Sequence, residues 1–136
     1  MRNDVILNKM ATIERCIKRI HEEYAGNPAN LENYTKQDSI ILNIQRACEA
    51  SIDIAMHIVS LQKLGIPQTS RDAFEFLANH RIIPADVSFK MKAMIGFRNI
   101  VVHDYQSINL EIVQKIIENH LGDYTSFLDH ILAYEA

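Results

Sequence analysis

The side chains best suited to chemistry lie in one stretch, Phe97-Arg98-Asn99-Ile100-Val101-Val102-His103-Asp104-Tyr105. Arg98 carries a permanent charge on a planar fork of donors that matches phosphate or carboxylate. Histidine is the side chain whose ordinary pKa lies nearest neutrality, so His103 can both take and give a proton. Tyr105 adds a hydroxyl that can donate, accept or be modified. Together these groups can bind a phosphodiester and move its protons without a metal ion or any other cofactor. Asn99 and Asp104 supply polar support beside them.

The elements that position this stretch constrain it. In a straight helix Arg98 and Tyr105, seven residues apart, share a face. Arg98 and His103 are five apart and point about 140° from each other around the axis. They do not converge on one phosphate within a single straight helix. Either the helix breaks or tightens near Val102, or two copies of the motif meet across a dimer. The second arrangement is favoured, with some fraying of the helix end. A two-fold axis then sets two Arg98 and two His103 side chains around one cleft.

A chain of 136 residues is expected to form one domain, residues 1–136, with a substantial core. No apolar run approaches the roughly 20 residues of a membrane span. The N-terminus leads into an amphipathic pattern, unlike a signal peptide. Cys16 and Cys48 lie far apart in helical patterns and fit buried thiols in a reducing cytoplasm. The net charge of −3 excludes a general polycationic coat for nucleic acid, so any RNA contact must be local.

Ile6, Met10, Ile13, Ile17, Ile20 and Tyr24 recur at steps of three and four and predict a helix from about Asp4 to Tyr24. Its charged face, including Arg15, Lys18 and Arg19, reads as solvated surface. Gly26-Asn27-Pro28 stops it. Thr35-Lys36-Gln37-Asp38 has the form of a capping box opening a long helix to about Leu64, with Gly65 as its stop. Ile40, Ile41, Ile44, Ala47, Cys48, Ile52, Ala55, Ile58 and Val59 give that helix a broad apolar face, fit for a central position. Glu49, Asp53 and His57 form a polar stripe upon it. That stripe is either an exposed ladder or a set of supporting contacts near His103.

Thr69 or Ser70 caps a short helix through about Asn79. Pro84 sits at the first turn of the next helix. Val87, Met91, Met94, Ile95 and Ile100 or Val101 point inward along it, and it ends around the Arg98–Tyr105 stretch. Ile100-Val101-Val102 has no partner run for a strand and is read as helical. Ser107 or Asn109 caps the last helix. Its expected inner face is Ile112, Val113, Ile116, Ile117, His120, Leu121, Tyr124, Leu128, Ile131 and Leu132, with Gly122 allowing a bend. The fold class is therefore all-α: an up-and-down bundle of four long helices plus a short one.

Rival chemistries leave weaker marks. His103-Asp104 matches the dipeptide of HD-type metal-dependent phosphohydrolases, but His57, His80, Asp123 and Asp129 follow no matching spacing. A di-metal carboxylate bundle needs Glu-x-x-His pairs, and the chain has none. A non-catalytic helical dimer that binds a nucleotide or a partner protein is the remaining alternative. Lys90, Lys92 and Arg46 are basic groups able to guide RNA or simply to meet solvent.

The pattern R-x-x-x-x-H with Asn99 after the arginine resembles the signature of HEPN-domain ribonucleases. The extension His103-Asp104-Tyr105 resembles the HepT toxin branch, as do Arg46-Ala47-Cys48-Glu49, Asp53-Ile54-Ala55 and the Gly96-Phe97 lead-in. The resemblance implies a homodimeric HEPN-like bundle whose two motifs line a shared cleft. It implies a toxin of a toxin–antitoxin system that cleaves cellular RNA, such as tRNA, as a metal-independent endoribonuclease. Arg98 and His103 map to the catalytic pair, and Asn99 to the polar residue beside the arginine. Tyr105 maps to the residue that a minimal nucleotidyltransferase antitoxin, MntA, modifies with AMP. On a shared helical face, AMP on Tyr105 is expected to sit beside the Arg98 guanidinium. Glu49 and Asp53 are candidates for supporting contacts.

Overall fold

A computed structural model describes residues 3–135. The amphipathic pattern produces α1 (Asp4–Tyr24), opened by Asn3, whose side chain accepts from the backbone of Val5 and Ile6. A 3-10 turn, Pro28–Glu32, leads to α2 (Tyr34–Leu61). The cap of α2 is Asn33, whose side chain accepts from Lys36 N–H. The box expected at Thr35 does not form, because the helix already begins at Tyr34 and the Asp38 side chain is used elsewhere. An asparagine cap of this kind contributes about 1 kcal/mol.

α2 ends at Leu61, earlier than the expected Leu64, and Lys63 then takes a left-handed conformation (φ 53°) before Gly65. A short helix α3 (Ser70–Asn79) follows, with a reciprocal capping box between Thr69 and Asp72. α4 runs Ala85–His103. After a 3-10 turn at Tyr105–Ser107, Asn109 caps α5 (Leu110–Lys115), which continues through a π turn (Ile116–His120) into α6 (Leu121–Glu135). Four long helical rods and one short helix are the expected inventory, and no strand occurs among the described residues.

α2 packs against α1, α3, α4 and α6, which is why its apolar face is broad. Its neighbours α1 and α4 run antiparallel to it. Lys9 of α1 meets Asp53, whereas Arg15 and Arg19 face Arg46 and Asn43. Arg98 of α4 meets Glu49, and Tyr105 beyond its end meets Asp38. One hydrophobic core joins all the helices, with Ile44, Ile54, Phe74, Met91, Tyr124 and Phe127 fully enclosed. The Phe74 and Phe127 rings pack edge to face with centroids 5.4 Å apart.

The last rod departs from its expected inner face. Phe127 is fully buried, whereas Ile112 is exposed and His120 lies on the surface. His120 closes the π turn, whose wider hydrogen bonding carries it off the buried side. Ile112 lies ahead of that turn, in the first turn of α5. Phe127, three residues after Tyr124 and four before Ile131, is on the inner side by the ordinary helical period. Val101 points inward and Ile100 outward on α4. Among the described residues no helix is long and apolar enough to cross a membrane.

Candidate functional site

α4 remains helical through His103 and stops at Asp104 (φ −154°, ψ 61°), whose N–H still reaches Ile100 O at 2.8 Å. The Asp104 carboxylate accepts from the Ser107 hydroxyl at 2.5 Å and closes the turn that follows. Tyr105 is therefore not on the helix. It does not share a helical face with Arg98, and the expectation that it would is corrected by this break. Its hydroxyl instead donates to Asp38 on α2.

Arg98 is half-buried and its guanidinium is held on two sides. Nε and Nη2 donate to one oxygen of Glu49, at 3.2 and 2.8 Å, and Nη1 donates to Asn99 Oδ1 at 3.1 Å. Of the five N–H groups that arginine carries, one on each terminal nitrogen remains for a ligand. Glu49 is itself reached by Gln45 Nε2 at 3.4 Å. Asp38, Leu42, Gln45 and Glu49 thus make one stripe of α2, spaced four, three and four, that faces the end of α4. A groove of about 350 Å³ between them is lined by Asp38, Leu42, Gln45, Val101 and Tyr105.

The Tyr105 phenol is pushed up to about 12 by burial, by its hydrogen bond to Asp38 and by that carboxylate's charge. Deprotonation would place a phenolate against a carboxylate, so the neutral hydroxyl is favoured. Deep burial pushes the Cys48 thiol, behind Glu49 on α2, up to about 12 as well.

The three residues of the polar stripe go separate ways. Glu49 holds Arg98, Asp53 pairs with Lys9 of α1 at 3.0 Å, and His57 Nε2 is enclosed without a hydrogen-bond partner among the described residues. The expected ladder along α2 does not form, and Asp53 takes no part in holding Arg98. Lys92 is paired with Glu75 of α3. Lys90 lines an apolar pocket of about 220 Å³ between α4 and the last rod.

His103 is exposed at the tip of α4. The unbroken helix keeps it about 140° around the axis from Arg98, so one chain does not bring the pair together. Along the outward side of α4 lie Phe89, Ala93, Gly96, Ile100 and His103, spaced four, three, four and three. Phe89 is 74% and Ile100 43% exposed. Sequence reading missed this stripe because helical spacing alone does not say which side of α4 its neighbours cover. Among the described residues no group of three His, Cys, Asp or Glu side chains is placed to hold a metal ion.

Comparison with known proteins agrees with the helical bundle. The family model "Ribonuclease HepT-like" matches residues 13–131. The chain is 53% identical over 131 residues to the mRNA nuclease HepT of Shewanella oneidensis, covering 96% of this chain and 98% of that one. It is 31% identical over 91 residues to the tRNA nuclease HepT of Aphanizomenon flos-aquae, covering 67% and 62%. A solved structure of the tri-AMPylated Shewanella oneidensis HEPN toxin in complex with MNT antitoxin superposes with a TM-score of 0.92 at 53% identity. It covers 97% of this chain and 99% of that one. The chain belongs to the HepT-like ribonuclease family.

Proposed function

We propose that this chain is the toxin of a toxin–antitoxin pair and an endoribonuclease that works without a metal ion. The observation that carries the reading is the Arg98 guanidinium. It is fixed by Glu49 and Asn99 with two donors left over, at the end of the helix that presents His103. RNA carries its own nucleophile in the 2′-hydroxyl. His103 takes that proton and, as the imidazolium so formed, gives a proton to the departing 5′-oxygen. Arg98 binds the scissile phosphate and neutralises the charge that builds on it. The products are a 2′,3′-cyclic phosphate and a 5′-hydroxyl.

The geometry supports a second copy. The 140° separation denies one chain a complete site, and the outward stripe of α4 has the alternating spacing that helix pairs use. Packing α4 on α4 covers Phe89 and Ile100 and sets two motifs at one cleft. Ala93, small and exposed, allows close approach. Free buried thiols at Cys16 and Cys48 suit a cytoplasmic location.

Tyr105 is the residue that a nucleotidyltransferase antitoxin modifies with AMP. The residue is 41% exposed while its hydroxyl is held by Asp38, and it lines the groove beside Val101. AMP there fills the groove with a base, a sugar and a negative charge, and so excludes RNA from it. The relatives' names divide between mRNA and tRNA nucleases. Messenger RNA is the first substrate to test, since the relative matched over nearly the whole chain carries that name.

The test is cleavage of total cellular RNA by purified protein with a divalent-ion chelator present, beside His103→Ala and Arg98→Ala. Cleavage by wild type alone, leaving cyclic-phosphate ends, is the expected result. A loss of about 10²–10⁴-fold is expected for His103→Ala. Activity that the chelator abolishes, or folded dimeric wild type that cleaves nothing and carries no AMP by intact mass, would sink the nuclease reading and leave a binding module.

A further inference from the structure

Arg15 and Arg19 sit one turn apart on the polar side of α1, and Arg46 lies on a different helix. Antiparallel packing of α1 on α2 brings the three into one open groove of about 420 Å³, with Ser39 and Asn43 between them. Neither Arg15 nor Arg46 forms an ion pair among the described residues, and Arg19 has only a long contact of 3.7 Å with Glu23. Arg15 and Arg46 lie close enough to the buried Cys16 thiol to pull its pKa down against the upward push of burial. The one carboxylate in the groove is Asp38, which already accepts the Tyr105 hydroxyl.

Three guanidinium groups around one groove repel each other, in a chain whose net charge is −3. A polyanion relieves that repulsion, and planar forks suit phosphate oxygens. The groove leads to the candidate site. Asp38 and Leu42 line both it and the groove that holds Tyr105, so they form a low ridge between the two. Leu42 and Tyr105 are each about 40% exposed on that path. Arginines beside an exposed aromatic ring and an apolar surface are the means by which single-stranded nucleic acid is held without regard to sequence. An acidic protein face has no need of the aromatic ring or of a path toward Arg98. We propose that Arg15, Arg19 and Arg46 form a subsite for the backbone phosphates of single-stranded RNA flanking the bond to be cleaved. The proposal rests on the nuclease reading for its place in a reaction, but the binding stands on its own measurement.

The experiment uses His103→Ala protein, so that RNA survives, and follows the anisotropy of a fluorescein-labelled single-stranded 20-nucleotide RNA across a salt series. The triple variant Arg15→Gln/Arg19→Gln/Arg46→Gln is made in that background and in wild type. Expected is a tenfold or greater rise in Kd, and a salt slope shallower by about 2, given about 0.7 per phosphate contact on a single strand. Wild-type-background cleavage of the long RNA falls, whereas cleavage of a trinucleotide, too short to reach the groove, is unchanged. An unaltered Kd and salt slope in a folded triple variant would overturn the subsite, as would absence of RNA binding by the parent. A triple variant that keeps its RNA affinity but no longer associates with the nucleotidyltransferase partner would reassign the groove to protein. Should wild type prove inactive on every RNA while binding still depends on the three arginines, the subsite stands and the nuclease reading falls.

Discussion

The Glu49 carboxylate on α2 grips the Arg98 guanidinium on α4 through a single oxygen, Oε2, at 2.8 Å from Nη2 and 3.2 Å from Nε. This contact fixes the guanidinium and leaves one N–H on each terminal nitrogen unused within the chain. Glu49→Gln keeps the shape but weakens the hold, and cleavage should fall about tenfold, the effect of about 1.4 kcal/mol on a barrier. Glu49→Ala should fall further. Both variants should melt within a few degrees of wild type, because half-exposed ion pairs contribute at most about 1 kcal/mol. Undiminished cleavage by Glu49→Ala would show that Arg98 needs no such anchor.

The two-copy site makes a sharp prediction about mixing. Arg98→Ala and His103→Ala, each inactive alone, should regain activity when combined and allowed to exchange subunits. Half of the pairs are then mixed, and each has one intact arginine and one intact histidine across the cleft. Recovery of about a quarter of wild-type activity is expected for a two-fold site. No recovery despite verified exchange would return both residues to one chain. Phe89→Asp with Ile100→Asp should give a folded, inactive monomer by light scattering.

Tyr105 provides a titration test. Its phenol is held up to about 12, by burial first and then by Asp38. The difference in ultraviolet absorbance between wild type and Tyr105→Phe should show a midpoint near 12. Asp38→Asn should bring it back toward the usual value of about 10. A raised acid pKa means that the folded state retains its proton, so the associated stability is complete below about pH 10 and is lost as pH rises through about 12. A midpoint in Asp38→Asn equal to that of wild type would show that the carboxylate has no influence.

The thiols should be silent. Cys16 is 3% and Cys48 1% exposed, and burial raises both pKa values. Native protein should show no fast reaction with a thiol reagent at neutral pH, and both groups should react after unfolding. Fast labelling of either would contradict the enclosed core.

Much of this was legible in the chain, for identifiable reasons. The start and end of α1 and the Thr69 cap of α3 could be read because three-and-four spacing and a capping residue act locally. The opening of α2 was misread because Thr35 and Asn33 carry equally good cap chemistry. What decided it was Asp38, which serves Tyr105 across the bundle and not its own helix. Phe127, three residues after Tyr124 and four before Ile131, was legible from the ordinary helical period but is absent from the expected inner face. The exposure of His120 was not legible, because a π turn is invisible to an unbroken period. The motif was visible as letters, but its support by Glu49 was one of two readings that the α2 stripe left open. Arg15 and Arg19 looked like solvated surface because their companion Arg46 comes from another helix, at a register that only packing sets.

The unbroken run of α4 through His103 bears on how such a protein would act in a growing cell. If each chain carries Arg98 and His103 on diverging sides, a freshly made copy does no harm by itself. At low copy number, paired sites accumulate with the square of the concentration, so halving the supply reduces damage fourfold. The geometry of one helix thereby sets a threshold. Occasional leaky synthesis is tolerated, and sustained accumulation switches the activity on steeply.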